Sequence, residues 1–317
     1  MAVIARKNIL AGALKRPWNS AGPPSSGTAG TLFGQADPGD IVLDTTNGVA
    51  FVNEGTKASP YWTPVDLNAP QLFGVHTDFR DGVEKPIANT DAQAFLAGSG
   101  LRVFGQGMAE TDSGLVVQAA GEGGQGLGRL ITTNEVAHTI AIGMAAGVMQ
   151  PDQHQLLVIE AILTHVSAIT LRSMFVGFVG EAADAMNPVV TGATTTATFS
   201  ATGSEGDDLA GVFFDVGLTD ADRLYGVHNK SNAAANQDLT ADGDTSTNIA
   251  AAATEQKFRV EIAANGNMTV FVDQVQVYSQ AIALDVDEEC SPVLYVESTS
   301  TATKSLDVRR FAAYAYR

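Results

Sequence analysis

Cysteine is nearly missing from this chain. Cys290 is the single one, so no internal disulfide holds the fold, and Glu288 and Glu289 beside it disfavour a reactive thiolate. Positive charge is sparse as well: 18 Lys and Arg face 35 Asp and Glu, for a net charge of -17. That balance excludes nucleic acid as a partner of the body, because neutralising phosphates takes clustered Lys and Arg. Long apolar runs are wanting too. The most apolar window, Leu156–Leu171, is interrupted by Glu160 and His165 and reads as a buried sandwich strand, with no membrane partner implied. Met1–Gly22 does not read as a signal peptide, since Ile9–Leu14 is short and Lys15-Arg16 follow it. The expectation is a soluble protein.

The usual marks of chemistry are also absent. No G-x-S-x-G occurs, and His76, His138, His154, His165 and His228 fall at none of the zinc-binding spacings. Gly121-Glu-Gly123-Gly-Gln-Gly126 fits G-x-G-x-x-G, but a dinucleotide site needs a helix next, and Arg129-Leu-Ile-Thr-Thr133 is β-rich. Counted from Asp238 in Asp238-Leu-Thr-Ala-Asp242-Gly243-Asp244, the twelfth position is Ile249 instead of Glu, so the EF-hand register fails. A looser calcium site there or at Asp207-Asp208 competes with a plain solvated loop. Glu160 and Glu261 sit on expected strands and read as cross-strand salt-bridge partners before acid/base residues. We therefore expect no enzyme, no cofactor and no resident metal.

What is present suits β-structure. Hydrophobic residues make up 45% of 317, enough for one large β-domain or two smaller ones, and Gly, Ala, Ser and Thr are abundant. Residues 1–36 read as a basic extended arm: Arg6, Lys7, Lys15 and Arg16 with no acid give +4, which leaves -21 on the rest (14 Lys and Arg against 35 Asp and Glu). Gly22–Gly27 reads as a flexible break in it, and its charge suits docking on an acidic surface. Residues 37–69 read as a β-hairpin module, because Asn47-Gly48 separates Ile41–Leu43 from Val49–Val52, and positive φ is tolerated at both turn positions. A polar loop then leads to an exposed-looking pair, Tyr61-Trp62, between Pro60 and Pro64. Three roles stand open for it: stacking on a sugar, filling a core, or contacting a neighbouring subunit, the last favoured because aromatic anchors dominate interface centres.

Residues 70–317 read as a β-sandwich of short strands. Lys257-Phe-Arg-Val-Glu-Ile-Ala263 alternates, with Phe258, Val260 and Ile262 on one face and Lys257, Arg259 and Glu261 on the other. Asn265-Gly266 turns it into Met268–Val272, and Asp273-Gln274 turns that into the next strand. Thr90–Ala97 is the one stretch expected to form a short helix.

Two segments resemble known families. The hairpin followed by Tyr61-Trp62 resembles a segment near the start of tailed-bacteriophage virion proteins. Phe175-Val-Gly-Phe178, Gly211-Val-Phe-Phe-Asp215, Leu224-Tyr-Gly-Val227 and Phe258–Asp273 together resemble the concanavalin/laminin-G type of jelly roll found in such proteins. One departure is Gln274, where the family often has Gly, which suggests a different turn type. The resemblance implies an all-β jelly-roll sandwich preceded by the arm and the hairpin module. It further implies a capsid cement or decoration protein on the virion surface, assembled in the host bacterial cytoplasm. Its partners would be the major capsid protein and itself, as a homotrimer, with Arg6, Lys7, Lys15, Arg16, Tyr61 and Trp62 at the contacts. The alternative is a head-fibre or tail protein that binds a host-surface glycan through sandwich loops.

Overall fold

The computed structural model describes residues 17–65, 72–77, 93–95, 100–105, 113–118, 127–132, 138–144, 149–165, 172–180, 190–192, 199–201, 208–218, 222–230, 238–239, 244–250, 254–298, 301 and 303–316. The chain divides into two compact units, Met1–Pro70 and Gln71–Arg317.

The first unit is a four-stranded sheet in the order β1-β2-β3-β4, made of β1 (Trp18–Ser20), β2 (Ile41–Asp44), β3 (Val49–Asn53) and β4 (Trp62–Val65). β2 and β3 are the expected hairpin, but its turn differs from a two-residue one. Thr45–Gly48 intervene, only Gly48 has positive φ (71°), and its N–H donates to Asp44 O at 2.8 Å. Asp44 closes the loop with its side chain, which accepts from Thr46 N, Asn47 N and Asn47 Nδ2. The arm expected over 1–36 is corrected for residues 17–36, which are built into this unit. β1 pairs parallel to β2 with Trp18 opposite Val42, and Gly27 N–H donates to Pro60 O and Gly34 N–H to Lys57 O. The Gly22–Gly27 segment is pinned by backbone hydrogen bonds that composition does not reveal. Arg6, Lys7, Lys15 and Arg16 lie outside the described residues.

The second unit opens with β5 (Leu72–Thr77), β6 (Gln93–Phe95), β7 (Arg102–Phe104), β8 (Gly114–Gln118), β9 (Leu127–Ile131) and β10 (Thr139–Gly143). It continues through β11 (Leu156–Thr164), β12 (Arg172–Val179), β13 (Val190–Gly192), β14 (Phe199–Ala201), β15 (Asp208–Asp215) and β16 (Arg223–Lys230). It closes with β17 (Asp238–Leu239), β18 (Asp244–Asn248), β19 (Glu255–Ala263), β20 (Met268–Val272), β21 (Val275–Gln280), β22 (Ser291–Ser298) and β23 (Ser305–Tyr316). One eight-stranded sheet runs β18-β16-β15-β12-β22-β10-β7-β6; the other runs β21-β20-β19-β11-β23-β9-β8, with β5 also paired to β23. β13, β14 and β17 make a separate three-stranded sheet. This is the all-β jelly-roll sandwich expected.

Alternation decides the layers. Met174, Val176 and Phe178 of β12, Val212 and Phe214 of β15, and Leu294 and Val296 of β22 enter the main core. They meet Leu157, Ile159, Phe258, Val260, Ile262 and Phe311 from the second sheet there. Thr90–Ala97 is corrected: Gln93–Phe95 is strand β6, hydrogen-bonded to β7. Pairing with a neighbouring strand outweighs the weak local preference for helix. The Asp273-Gln274 turn is corrected as well. Both residues have positive φ, 49° and 69°, so the Gln occupies the position that glycine favours in a two-residue hairpin.

Candidate functional site

The first unit has its own small core. Val42 and Phe51 are cross-strand partners on one face of the sheet, and Ala36 and Trp62 complete the cluster with Leu32 and Val49 against it. Trp62 is 1% exposed; its Nε1–H donates to Thr31 O at 3.1 Å and its backbone N–H to Ser26 Oγ at 2.9 Å. Asn53 ties the loop on: its Nδ2 donates to Ala36 O and Asp37 O, while its Oδ1 accepts from Gly55 N and Tyr61 N. Tyr61 is buried too. The expectation of an exposed aromatic pair is thereby corrected. Of the three roles open to Trp62, the structure places it in the core, because the segment 25–36 folds over the sheet and supplies partners for the indole.

The aromatic surface of this unit lies elsewhere. Trp18 is 39% exposed, Phe33 48% and Ile41 42%. Trp18 sits on the edge strand β1, Phe33 on the loop that covers Trp62, and Ile41 on the opposite face of β2 from Val42. Sequence reading missed them because Trp18 follows a proline in a small-residue stretch where no strand was expected. Edge pairing is discouraged at β4, where Pro64 lacks an N–H to donate. The unit thus offers apolar side chains for contact.

The sandwich arranges its polar groups for structure. Arg259 lies directly opposite Glu160 across β19 and β11 and donates to it from Nη1 at 2.8 Å, and it reaches Glu261, two residues along its own strand, from Nε and Nη2. Glu160 makes the cross-strand ion pair expected of it, whereas Glu261 pairs along its own strand instead of across to a neighbour. Burial nonetheless pushes the Glu261 carboxyl upward against the pull of Arg259. Across β9 and β23, Arg129 forks onto Asp307 at 2.7 and 3.0 Å, which holds its guanidinium further up. Cys290 is buried and its Sγ donates to Met149 O at 3.1 Å; burial drives its thiol well above the usual range, with Asp208 and Glu289 adding to the effect. A nucleophile needs the reverse. Burial lowers the His228 imidazole.

Among the described residues, no three His, Cys, Asp or Glu gather in a way that could hold a metal ion. Gly121–Gly126 and Asp242 lie outside the described residues, and the strand β9 starts at Leu127, where a dinucleotide site needs a helix. No described helix is long and apolar enough to cross a membrane. The outward face of the first sheet carries a lateral row of aromatics, Tyr295, Phe175, Phe213 and Tyr225, with Phe175 and Tyr295 stacked at 5.6 Å. All four are buried, so this row is a second core, unable to offer a ring to a sugar.

No model of a known protein family matches the chain, and neither does any curated protein. Among solved structures, a protein of unknown function from Shewanella oneidensis MR-1 is similar at 13% identity and a TM-score of 0.47, over 78% of this chain and 88% of that one. The Emp47p carbohydrate recognition domain aligns at 11% identity and a TM-score of 0.41, over 66% of this chain and 90% of its own. A carbohydrate esterase from the Shiga toxin-encoding bacteriophage phi24B aligns at 15% identity and a TM-score of 0.41, over 71% and 94%. Likenesses of this degree carry no argument about what this chain does.

Proposed function

We propose that the protein is a virion structural protein of a tailed bacteriophage, a capsid cement or decoration protein, and that the first unit is its attachment module. The observation that carries this reading is a unit with its own core and hydrogen-bonded loop that nevertheless holds Trp18, Phe33 and Ile41 in water. Apolar side chains that large gain by burial against a partner, and Trp is the residue most often found as an interface anchor. The resemblance of this segment to the start of phage virion proteins supplies the partner, the major capsid protein, with further copies of the chain around it as a homotrimer. Work is done by contact alone: each copy bridges neighbouring capsomers, and many copies add their small reinforcements. The basic side chains Arg6, Lys7, Lys15 and Arg16 precede the module and suit an acidic surface.

The test is addition of purified protein to undecorated heads. Trp18→Ala and Phe33→Ala together should abolish or sharply weaken binding while the circular dichroism stays that of a β-sandwich. Undiminished binding by this variant would overturn the assignment of the contact surface. Binding to a host glycan but not to heads would instead favour a head-fibre or tail role through the sandwich loops.

A further inference from the structure

The sheet of the first unit has an open edge at β1: among the described residues, no strand lies on its far side. Ser20 O accepts from Thr45 N at 2.9 Å, so Ser20 turns its backbone groups towards β2. Alternation then turns the N–H and C=O of Asn19 to the open side. Asn19 is exposed, as is Trp18 one step before it. Trp18 is set opposite Val42 and Asn19 opposite Leu43, so their side chains leave β1 on different faces.

Natural sheet edges are commonly shielded by a charge, a bulge or a proline. Trp18-Asn19-Ser20 has none of these, although Pro17 stands just before it and confines any pairing to this short stretch. Residues 17–36 contain no charged side chain, in a chain whose net charge is -17. The acid on the adjoining strand, Asp44, lies opposite Ser20, is 1% exposed and accepts from Gly22 N, Thr46 N and Asn47 N. A charged partner strand therefore meets no complementary charge here. A second copy brings the same neutral edge, and two chains of like net charge approach through it with the least repulsion.

We propose that, in the free protein, β1 pairs antiparallel with β1 of a second copy across a two-fold axis at Asn19, joining two four-stranded sheets edge to edge. Such a pair is self-complementary. Asn19 N–H of each copy donates to Asn19 O of the other, and the two carboxamides meet side by side as donor and acceptor. Trp18 stands opposite Ser20 of the second copy, which makes the two indoles diagonal neighbours on one face, within reach of each other. The contact covers in solution the tryptophan that the attachment reading offers to the head. It closes with two copies and is separate from a homotrimer on the capsid. So small an interface makes a weak dimer, with a Kd in the micromolar range or above.

The experiment is sedimentation of the full chain from micromolar to millimolar concentration, with indole fluorescence read on the same samples. No heads are present, so the outcome is independent of the head-binding test. Wild type should pass from monomer to dimer as concentration rises, with its emission moving to the blue. Trp62 is already enclosed, so that movement reports Trp18. Asn19→Lys sets two ammonium groups face to face on the axis and should weaken the dimer several-fold, less so in high salt. Asn19→Pro removes an N–H that β2 does not use and should abolish pairing. Should the proline variant not fold, the lysine variant decides, since its side chain stands in water. A wild type that stays monomeric, a free trimer, or association equally strong in Asn19→Lys would overturn the proposal.

Discussion

Trp62 shows how one side chain sorts a surface from a core. Its indole is enclosed by Val42, Phe51 and Ala36 and spends its N–H on Thr31 O, so the residue holds the module together from inside. Trp62→Ala should cost the first unit about 3–5 kcal/mol through the cavity left behind. The only two tryptophans, Trp18 and Trp62, both lie in that unit, so indole fluorescence follows it alone while far-ultraviolet circular dichroism follows the sandwich. The variant should melt earlier by Trp18 fluorescence with the sandwich transition unmoved. Gln274 is a second residue with a local account. At φ 69° it pays the steric cost that glycine avoids. Gln274→Gly should stabilise the sandwich by about 0.5–1 kcal/mol in denaturant unfolding, and a loss of stability would show that the side chain contributes more than its strain removes.

At the scale of the element, β19, β11 and β23 carry the charged face of the second sheet. β23 has a bulge where Arg310 and Val308 face consecutive residues of β11, and the extra residue lets Arg309 and Arg310 both reach water. They meet Glu255 at 2.7 Å and Glu160 at 3.5 Å. Arg259 is the buried member of this network. Arg259→Met should destabilise by about 3 kcal/mol, because Glu160 and Glu261 then lose their common cation. The Glu261 carboxyl, already raised by burial, would rise further, so the loss should be smaller at pH 5 than at pH 8. Denaturant unfolding of both forms at the two pH values reads this out. These strands were legible in the sequence because Lys257–Ala263 alternates apolar with charged residues, but the charged face is not the wet one this suggests: Arg259 and Glu261 are buried in their own ion network. β1, β6 and β13 were not, since three residues carry no period, and only a partner strand makes them strands. The Asn47-Gly48 hairpin was legible, whereas its four-residue turn depends on the Asp44 side chain, which no dipeptide preference contains. Trp18 and Phe33 escaped notice for the same reason: their exposure is set by β1 pairing and by the loop over Trp62.

At the scale of the molecule, the composition separates two kinds of work. The sandwich hides its aromatics on both faces of the first sheet, and the small unit shows its own. The dividing point matters for truncation. Removing Met1–Ser26 would take away β1 and the Ser26 hydroxyl that accepts from Trp62 N, so it would damage the module itself. Removing Met1–Arg16 spares every described contact and deletes Arg6, Lys7, Lys15 and Arg16 together. That truncated chain should bind undecorated heads more weakly and with a shallower salt dependence, since the lost term is electrostatic. The central claim, that the first unit mounts the protein on a capsid through its exposed apolar side chains, has one direct measurement. Undecorated heads are saturated with wild type or with the Trp18→Ala, Phe33→Ala double variant, and the bound copies per head are counted by density mapping. The account predicts ordered density for wild type, with Trp18 and Phe33 at the contact, and few or no copies of the variant. Equal occupancy for both proteins, or wild-type density that contacts the head only through the sandwich, would contradict it.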